Sequence, residues 1–544
     1  MQCTQCQKSF RYFPGEKEAY AQFDAPLSDQ CPDCRQLRRL AFRNEKNLYY
    51  NKSYKSGKTI ITLYPASSPF KIIDQDEWWD DDFDATEYGM DFDFTKPFFE
   101  QFKTLQKNVP RWSRIFVNCE NSDFTNNCAN VKNGYLSFSS YESDSIFYCT
   151  RVHRLNHCID CFNVKDSQYC VGCMDCKKNY KLHYSQLSEG CNDSYFLFDC
   201  RGCKNCILCT QQRNQEYTIL NQKYSKADYE KHKTKFLHEF SQNPQKFLQQ
   251  FDALKKQAFL KNMRLLNAEN SWGDFINDSK NVLNGFYIEE CEDCINVFGC
   301  SKLKNCYDNF VNDQSELCLE ADTSYQLYRS KFCTYVGTCN DVEYCDQCFH
   351  LEHCFGCIGI KKHKYAILNK KYSKETYENL RKRITAHMKK TGEYGKPFPA
   401  TLSSFAYNIT TAHDVHPLNK STAEKMGFQW YLDEKEATYL GEPYKIPASI
   451  QDVEDSICDK ILTCEETGKN YKIIPQELKL YRMLELPVPR TCPDQRYRAL
   501  LKMQPPKKLT DTMCSLCKTP LQTVYPKSRE EKVVCEKCYL EKTY

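Results

Sequence analysis

Shifting the chain against itself by 148 residues lays Cys158, Cys170, Cys191, Cys200, Cys206 and Cys209 on Cys306, Cys318, Cys339, Cys348, Cys354 and Cys357. The flanks agree too. "YTILNQKYSKADYE" from Tyr217 matches "YAILNKKYSKETYE" from Tyr365, and "NCENS" from Asn118 matches "NAENS" from Asn267 with a slip of one residue. Two copies of one domain, 118–222 and 267–370, follow, and the fold must build the same unit twice. Within a copy, Tyr195, Cys206 and Tyr217 stand eleven apart, as do Tyr148, Ile159 and Cys170. Short β-type runs such as "SYFLF" and "EYTIL" alternate with turn-forming Asn, Asp, Ser and Gly. The spacing is too short for a helical hairpin. It predicts a parallel β-solenoid with coils of two eleven-residue halves and core ladders of Cys, Asn, Ser and aromatic residues.

The stretch "CRGCKNCILC", Cys200 to Cys209, raises an iron–sulfur reading. Ferredoxin-type motifs place the fourth cysteine three residues on, before a proline. Here it follows after two, Thr210 comes next, and Cys203 is replaced by Leu351 in the second copy. A four-thiolate cluster needs every ligand, whereas a packed ladder accepts Leu for Cys, since free cysteine behaves as a small hydrophobe. Buried thiol ladders are therefore favoured over zinc bridging neighbouring coils, and a cluster comes last.

The two ends carry a different cysteine pattern. Cys3-x2-Cys6 and Cys31-x2-Cys34 flank a 24-residue insert, and Cys514-x2-Cys517 and Cys535-x2-Cys538 flank 17 residues. Two such pairs supply four thiolates to one tetrahedral zinc, so about two structural zinc ions are expected. The second knuckle of the first set should open a helix, because Leu37, Leu40 and Ala41 recur at helical spacing. A degenerate third module is read over 458–505. Cys6 and Cys31 are laid on Cys464 and Cys492, Pro14 on Pro475 and Tyr20 on Tyr481, which puts Cys3 opposite Ile461 and Cys34 opposite Gln495. It should keep its fold without metal, Cys458 being a weak extra donor.

The whole reads as a mixed, β-rich multidomain chain: two tandem cysteine-rich solenoid-like repeats flanked by zinc-ribbon or treble-clef-like domains, with helical connectors. The segments are a zinc-knuckle domain with a basic helix (1–60), an acidic-aromatic connector (61–117), the first repeat (118–222), a helical linker (223–266) and the second repeat (267–370). A helix (371–395), an extended linker (396–457), the degenerate knuckle module (458–505) and the C-terminal zinc ribbon (506–544) complete the chain. The helices after each repeat, opened by Ser225 and Ser373, should close the solenoid ends.

"CPDCRQLRRLAFRNEKNLY", "WWDDDFDATEYGMDFDFTKPFFEQF", "VPR", "ENSDFTNN", "ILNQKYS" and "CEKCY", in this order, resemble a family of cysteine-rich, zinc-ribbon-bearing proteins of small-genome candidate-phylum bacteria. The resemblance spans nearly the whole chain and implies a bacterial, cytoplasmic setting. It carries over no activity. A cytoplasmic address also follows from the cysteine count, which in a reducing compartment means metal ligands or buried thiols, and from the lack of a long apolar run.

Catalytic motifs fail on inspection. "SGKTIITLY" lacks the earlier glycine of a phosphate loop, position 52 being Lys52, and reads as a hairpin turn and strand. "HDVHP" (His413–Pro417) reads as a loop. Asp80–Asp84 fall in a stretch, Asp74–Glu100, with eleven acids and one lysine, interleaved with Trp78, Trp79, Phe83, Tyr88, Phe92 and Phe94. Such alternation suits a segment pressed onto another surface. No catalytic residues are assigned, and the chain is read as non-enzymatic. Arg35, Arg38, Arg39 and Arg43 cluster on one side of the helix after Cys34, a pattern suited to phosphates, with Tyr49, Tyr50 and Tyr54 nearby for stacking. The expected partner is nucleic acid or a ribonucleoprotein, RNA above all. Two other functions stay open: a self-assembling protein-interaction scaffold joined through solenoid faces or the acidic-aromatic segment, and an enzyme whose site the sequence hides.

Overall fold

The computed structural model describes residues 1–432, 444–526, 528 and 532–544. Part of the 396–457 linker and of the C-terminal ribbon thus lies outside the described residues. The protein is β-rich and forms two compact units, each built from separated stretches. Unit 1 combines 1–114 with 263–432 and 507–510; unit 2 combines 115–262 with 433–506 and 511–544. The N-terminal modules therefore belong with the second repeat, and the C-terminal modules with the first.

Both repeats are parallel sheets in which the partner of a residue is the one twelve further on, except at the start of the second repeat, where Leu265 pairs with Ile276, eleven on. Lys165, Lys177, Glu189, Arg201 and Arg213 form one such column, and Glu292, Lys304 and Glu316 another. The eleven-residue rhythm is corrected to twelve. Tyr195 and Cys206 fall in different columns, since the ladder partner of Tyr195 is Ile207, the residue after Cys206. In unit 1 the strands Trp272–Glu289, Glu292–Ile295, Lys304–Tyr307, Glu316–Tyr328, Phe310–Asp313 and Phe298–Ser301 pair into a closed ring of six, with further strands added parallel beyond it.

The unit of this architecture is a triplet. Every third residue takes a left-handed conformation: Asp160, Asn163, Asp166, Tyr169, Gly172, Asp175 and Lys178 have φ between 51° and 65°. Asn and Asp are the commonest residues at these positions, entering that region at low cost, although Tyr, Leu, Lys and others also occupy them. Where Asx residues stack, their amides join neighbouring rungs, as in Asn121 Nδ2 to Asn133 Oδ1 at 2.8 Å and Asn284 Nδ2 to Asn296 Oδ1 at 2.9 Å. The residue after each left-handed one points inward, so Cys158, Cys161, Val164, Ser167, Cys170, Cys173 and Cys176 line the core, each at most 2% exposed.

Backbone hydrogen bonding explains which residues point inward. The residue after the inward one donates to the next rung (Ile159 N to Cys170 O, 3.0 Å), and the left-handed residue donates to the previous one (Asp160 N to Phe147 O, 3.0 Å). The inward residue's own N–H faces the core, where it needs a side-chain acceptor. Ser194 Oγ accepts from Cys206 N at 3.0 Å, Asn179 Oδ1 from Cys191 N at 2.8 Å, and Cys291 Sγ from Leu303 N at 3.4 Å. Each is twelve residues back. Inward thiols in turn donate to carbonyls, as Cys206 does to Lys204 O at 3.4 Å. Small side chains that accept one bond and fill an apolar channel are what this core demands, and Cys, Ser and Asn meet both conditions.

A strand turns back antiparallel on the last coil of each repeat, Gln222–Lys223 in unit 2 and Lys370–Lys371 in unit 1. Helices follow, capped by Ser225 and Ser373. Phe240 of the first packs on Tyr184 and Phe196, with ring centroids 5.3 and 5.6 Å apart. In unit 1 the acidic-aromatic segment lies on the second repeat. Trp78, fully buried, meets Phe349 at 5.9 Å, Phe98 meets Phe355 at 5.4 Å, and Lys370 pairs with Asp91 at 2.8 Å. Most of its apolar side is thus taken up within its own unit, while Trp79 stays 40% exposed.

Candidate metal centres and the modules that carry them

The ligand atoms of Cys3, Cys6, Cys31 and Cys34 lie within 4.8 Å of one another, and so do those of Cys514, Cys517, Cys535 and Cys538. Among the described residues these are the groups of three or more such donors close enough to hold an ion. Cys6 and Cys31 sulfurs are 3.7 Å apart, as are those of Cys517 and Cys535. A tetrahedron of thiolates about 2.3 Å from a zinc ion has edges of about 3.8 Å, so the cages fit that ion. The cysteines of the two repeats, Cys203 included, fall in neither group.

Each cage is framed by one backbone pattern. In the first, Cys3 N donates to Lys8 O and Gln7 N to Cys3 O, both at 2.9 Å, with Gln7 left-handed at φ 60°. Cys31 then caps the helix Pro32–Leu40, and its N–H donates to Cys3 Sγ at 3.2 Å. The second cage repeats this with Cys514 N to Thr519 O at 2.9 Å, Lys518 at φ 60°, and Cys535 N to Cys514 Sγ at 3.3 Å. These bonds favour the thiolate at some of the ligands, while burial pushes the Cys31, Cys34 and Cys538 thiols up. Burial pushes the Cys3 thiol up, but the amides of Cys31, Cys6 and Gln5 bring it to about 7; the Thr519 hydroxyl and amide bring Cys517 to about 6.

The degenerate module has the same frame in a shifted register. Cys464 N donates to Lys469 O at 2.8 Å, Gly468 N to Cys464 O at 2.9 Å, and Gly468 has φ 69°. Cys464 therefore stands where Cys3 stands, not where Cys6 does, and Thr467 takes the second position. The first knuckle therefore lies one ligand position, three residues, from the expected register, while Cys492 and Gln495 stand opposite Cys31 and Cys34 as expected. Cys492 caps the helix Pro493–Met503 and Gln495 takes the fourth position. Two thiols, a hydroxyl and an amide remain; Thr467 Oγ1 and Cys492 Sγ are 3.9 Å apart.

The arginine helix does not present a phosphate-binding strip, which corrects that assignment. Arg35 is 0% exposed, Arg43 1% and Arg39 4%, all inside unit 1. Arg35 pairs with Glu16 at 2.7 Å and Asp308 at 2.9 Å; Arg38 with Glu320 at 2.7 Å; Arg39 with Asp308 at 2.8 Å; Arg43 with Glu45 at 3.4 Å. Burial alone would push the Arg35 guanidinium down, but Asp308, Tyr20 and Glu16 hold it well above its ordinary value. The pairing acids lie in the second repeat and the knuckle domain, not in Asp74–Asp93.

Asp308 is a left-handed residue of the second repeat, φ 56°, and its counterpart 148 residues earlier, Asp160, has φ 51°. In unit 2, Asp160 receives Arg496 at 2.8 Å, and Arg496 follows Gln495 as Arg35 follows Cys34. Glu477 and Tyr481 repeat Glu16 and Tyr20, with Tyr481 Oη to Glu477 Oε1 at 3.1 Å. The C-terminal cage uses the same position: Tyr539, next after Cys538, hydrogen-bonds Asp199, another left-handed residue at φ 52°. In three modules the residue after the fourth knuckle position thus anchors the module to a left-handed Asp of a repeat. No sequence motif marks these acids as partners, although the two internal shifts, taken together, pair an Arg with an Asp twice.

The chain matches no family model and no curated protein. No helix among the described residues is long and apolar enough to cross a membrane.

Proposed function

We propose that this protein is a non-enzymatic scaffold: two triplet-repeat β-solenoids, each clamped by knuckle modules, two of which hold structural zinc. The solvent side of both repeats carries the observation that favours a protein partner. Opposite charges meet on neighbouring rungs in both units, at Glu120–Lys132 and Lys204–Glu216 in unit 2 and at Glu269–Lys280 and Glu292–Lys304 in unit 1, at 3.3 to 3.8 Å, whereas the column Lys165, Lys177, Glu189, Arg201 and Arg213 is mainly basic. Lys364 and Glu352 continue the pattern. Each lysine of these pairs already has a carboxylate beside it, so the pairs read as a stripe for a complementary protein surface rather than a track for phosphates. None of the thirty-five cysteines is in a disulfide, which suits a reducing compartment.

The test is affinity capture from the native cell, with light scattering, absorbance at 260 nm and elemental analysis on the same sample. A defined protein complex with about two zinc ions per chain and no nucleic acid supports the proposal. Nucleic acid that co-purifies and dissociates steeply with salt would replace it with the RNA-binding reading.

A further inference from the structure

The hairpin and short helix after the arginine helix carry no cysteine, yet they repeat the knuckle frame bond by bond. The strand Tyr49–Lys52 ends just before Ser53, as Thr510–Met513 ends just before Cys514. Ser53 N donates to Lys58 O at 2.8 Å and Gly57 N to Ser53 O at 2.9 Å, with Gly57 left-handed at φ 72°. These are the bonds made by Cys3, Cys464 and Cys514. Tyr54 N donates to Ile72 O, as Thr4 N does to Asp29 O, Glu465 N to Arg490 O and Ser515 N to Val533 O. In every case the acceptor lies two residues before a helix cap.

The cap here is Asp74, at φ −58° and ψ 148°, against −67° and 160° for Cys31. Its N–H donates to Ser53 Oγ at 3.4 Å, the bond that Cys31 and Cys535 make to a sulfur. The strand before the cap, Ile72–Ile73, pairs in parallel with Arg111–Trp112, as Lys532–Val534 pairs with Phe259–Lys261. The four ligand positions are therefore Ser53, Ser56, Asp74 and Glu77. The residue after the fourth is Trp78, which is buried against Phe349 of the repeat, in the place of Arg35, Arg496 and Tyr539.

We propose that residues 49–79 are a fourth knuckle module in which the Glu77 carboxylate, bonded by the Ser53 hydroxyl, has taken over the closing role of the metal. Each unit then holds one four-cysteine module and one metal-free module on its coil. Burial pushes the Glu77 carboxyl up, but the hydroxyls of Ser53 and Ser56 and the Asp74 amide hold it below the usual range, as expected of an ionised closing group. Cys464, Thr467, Cys492 and Gln495 are the other metal-free set, closed by packing and by Gln495 Nε2 donating to Glu466.

The frame predicts that thiols restored at these positions will bind an ion. The full-length variant Ser53→Cys/Ser56→Cys/Asp74→Cys/Glu77→Cys should hold one more zinc per chain than wild type. The comparison is a difference, so it does not depend on the wild-type content or on the scaffold function. A folded quadruple variant, with wild-type far-ultraviolet circular dichroism, that holds no extra zinc overturns the proposal. Ser53→Cys/Ser56→Cys, which keeps both carboxylates, is the second arm should the quadruple variant not fold. An extra equivalent of Co2+ with the visible absorption of a tetrahedral thiolate site supports the module. Saturation at the wild-type equivalence overturns it.

Discussion

Replacing Arg35 with Met removes one guanidinium from a site that holds two carboxylates and a phenol. Arg35 is fully buried, 2.7 Å from Glu16 and 2.9 Å from both Asp308 and the Tyr20 hydroxyl. Met fills similar volume, so the loss is electrostatic rather than a cavity. Asp308 keeps Arg39 at 2.8 Å, but Glu16 is left without a cation. Removing one member of a buried pair costs about 3–5 kcal/mol, because the remaining charge stays desolvated. For a unit of 288 residues that lowers the melting temperature by roughly 5–8 °C. All five tryptophans, Trp78, Trp79, Trp112, Trp272 and Trp430, fall in unit 1, so their fluorescence follows this unit alone. The triple change Arg35→Met/Glu16→Gln/Asp308→Asn should recover most of the loss, since it removes the stranded charges as well. A single variant within about 1 kcal/mol of wild type, or a triple variant no better than the single, would refute the anchoring argument.

Ser185 Oγ accepts from Leu197 N at 2.8 Å and donates to His183 O at 2.9 Å. Ser185→Ala should cost about 1–3 kcal/mol by stranding that amide, and Ser185→Cys distinctly less, measured by denaturant unfolding of unit 2 with circular dichroism. Cys203→Ala should cost on the order of 1 kcal/mol and leave the zinc content unchanged; loss of a metal ion in that variant would mean the ladder thiols are ligands. Burial pushes Glu477 up from its ordinary 4.5 to about 7, even though Arg496 and Tyr148 favour its charge. The folded state therefore binds this proton more tightly than the unfolded chain. The resulting stability, up to about 3 kcal/mol, is complete below pH 4.5 and lost as pH rises to about 7. Glu477→Gln should flatten that slope in equilibrium unfolding of unit 2, and an unchanged slope would assign it to another group.

Much of the metal chemistry was legible in the sequence, because Cys-x2-Cys pairs state both the ligand and the turn that holds it. The four-cysteine sets lie where spacing placed them. The repeat was legible as a duplication, but the register of its strands was not. Eleven-residue matches joined an outward residue such as Tyr195 to the inward Cys206, and so mixed two columns. "CRGCKNCILC" displays the triplet openly, since Cys200, Cys203, Cys206 and Cys209 all point into the core. The arginines misled for a physical reason. Spacing puts them on one face, but a helical face says nothing about what covers it, and two of the acids that do, Asp308 and Glu320, lie 269 to 282 residues away in the chain. Ser53 to Glu77 was invisible because the frame is made by backbone amides, and only the closing group is a side chain.

Chain order sets when these contacts can form. Arg35 is made 273 residues before Asp308, and Asp160 precedes Arg496 by 336. Coil contacts span only twelve residues, and the cages bring together residues 28 and 21 apart. Local contacts form fast, whereas distant ones wait for loop closure. Loop length itself adds little to the equilibrium cost, about 0.6 kcal/mol per doubling, so the distant anchors stabilise once made. Coils and cages should therefore be built before modules dock, and Arg35 should be unpaired in the transition state for unit 1. Interactions absent from the transition state act on unfolding. Arg35→Met should then speed unfolding of unit 1, followed by tryptophan fluorescence in stopped flow, while refolding stays near the wild-type rate. A variant that refolds slowly and unfolds normally would place docking before the coil, and reverse this order.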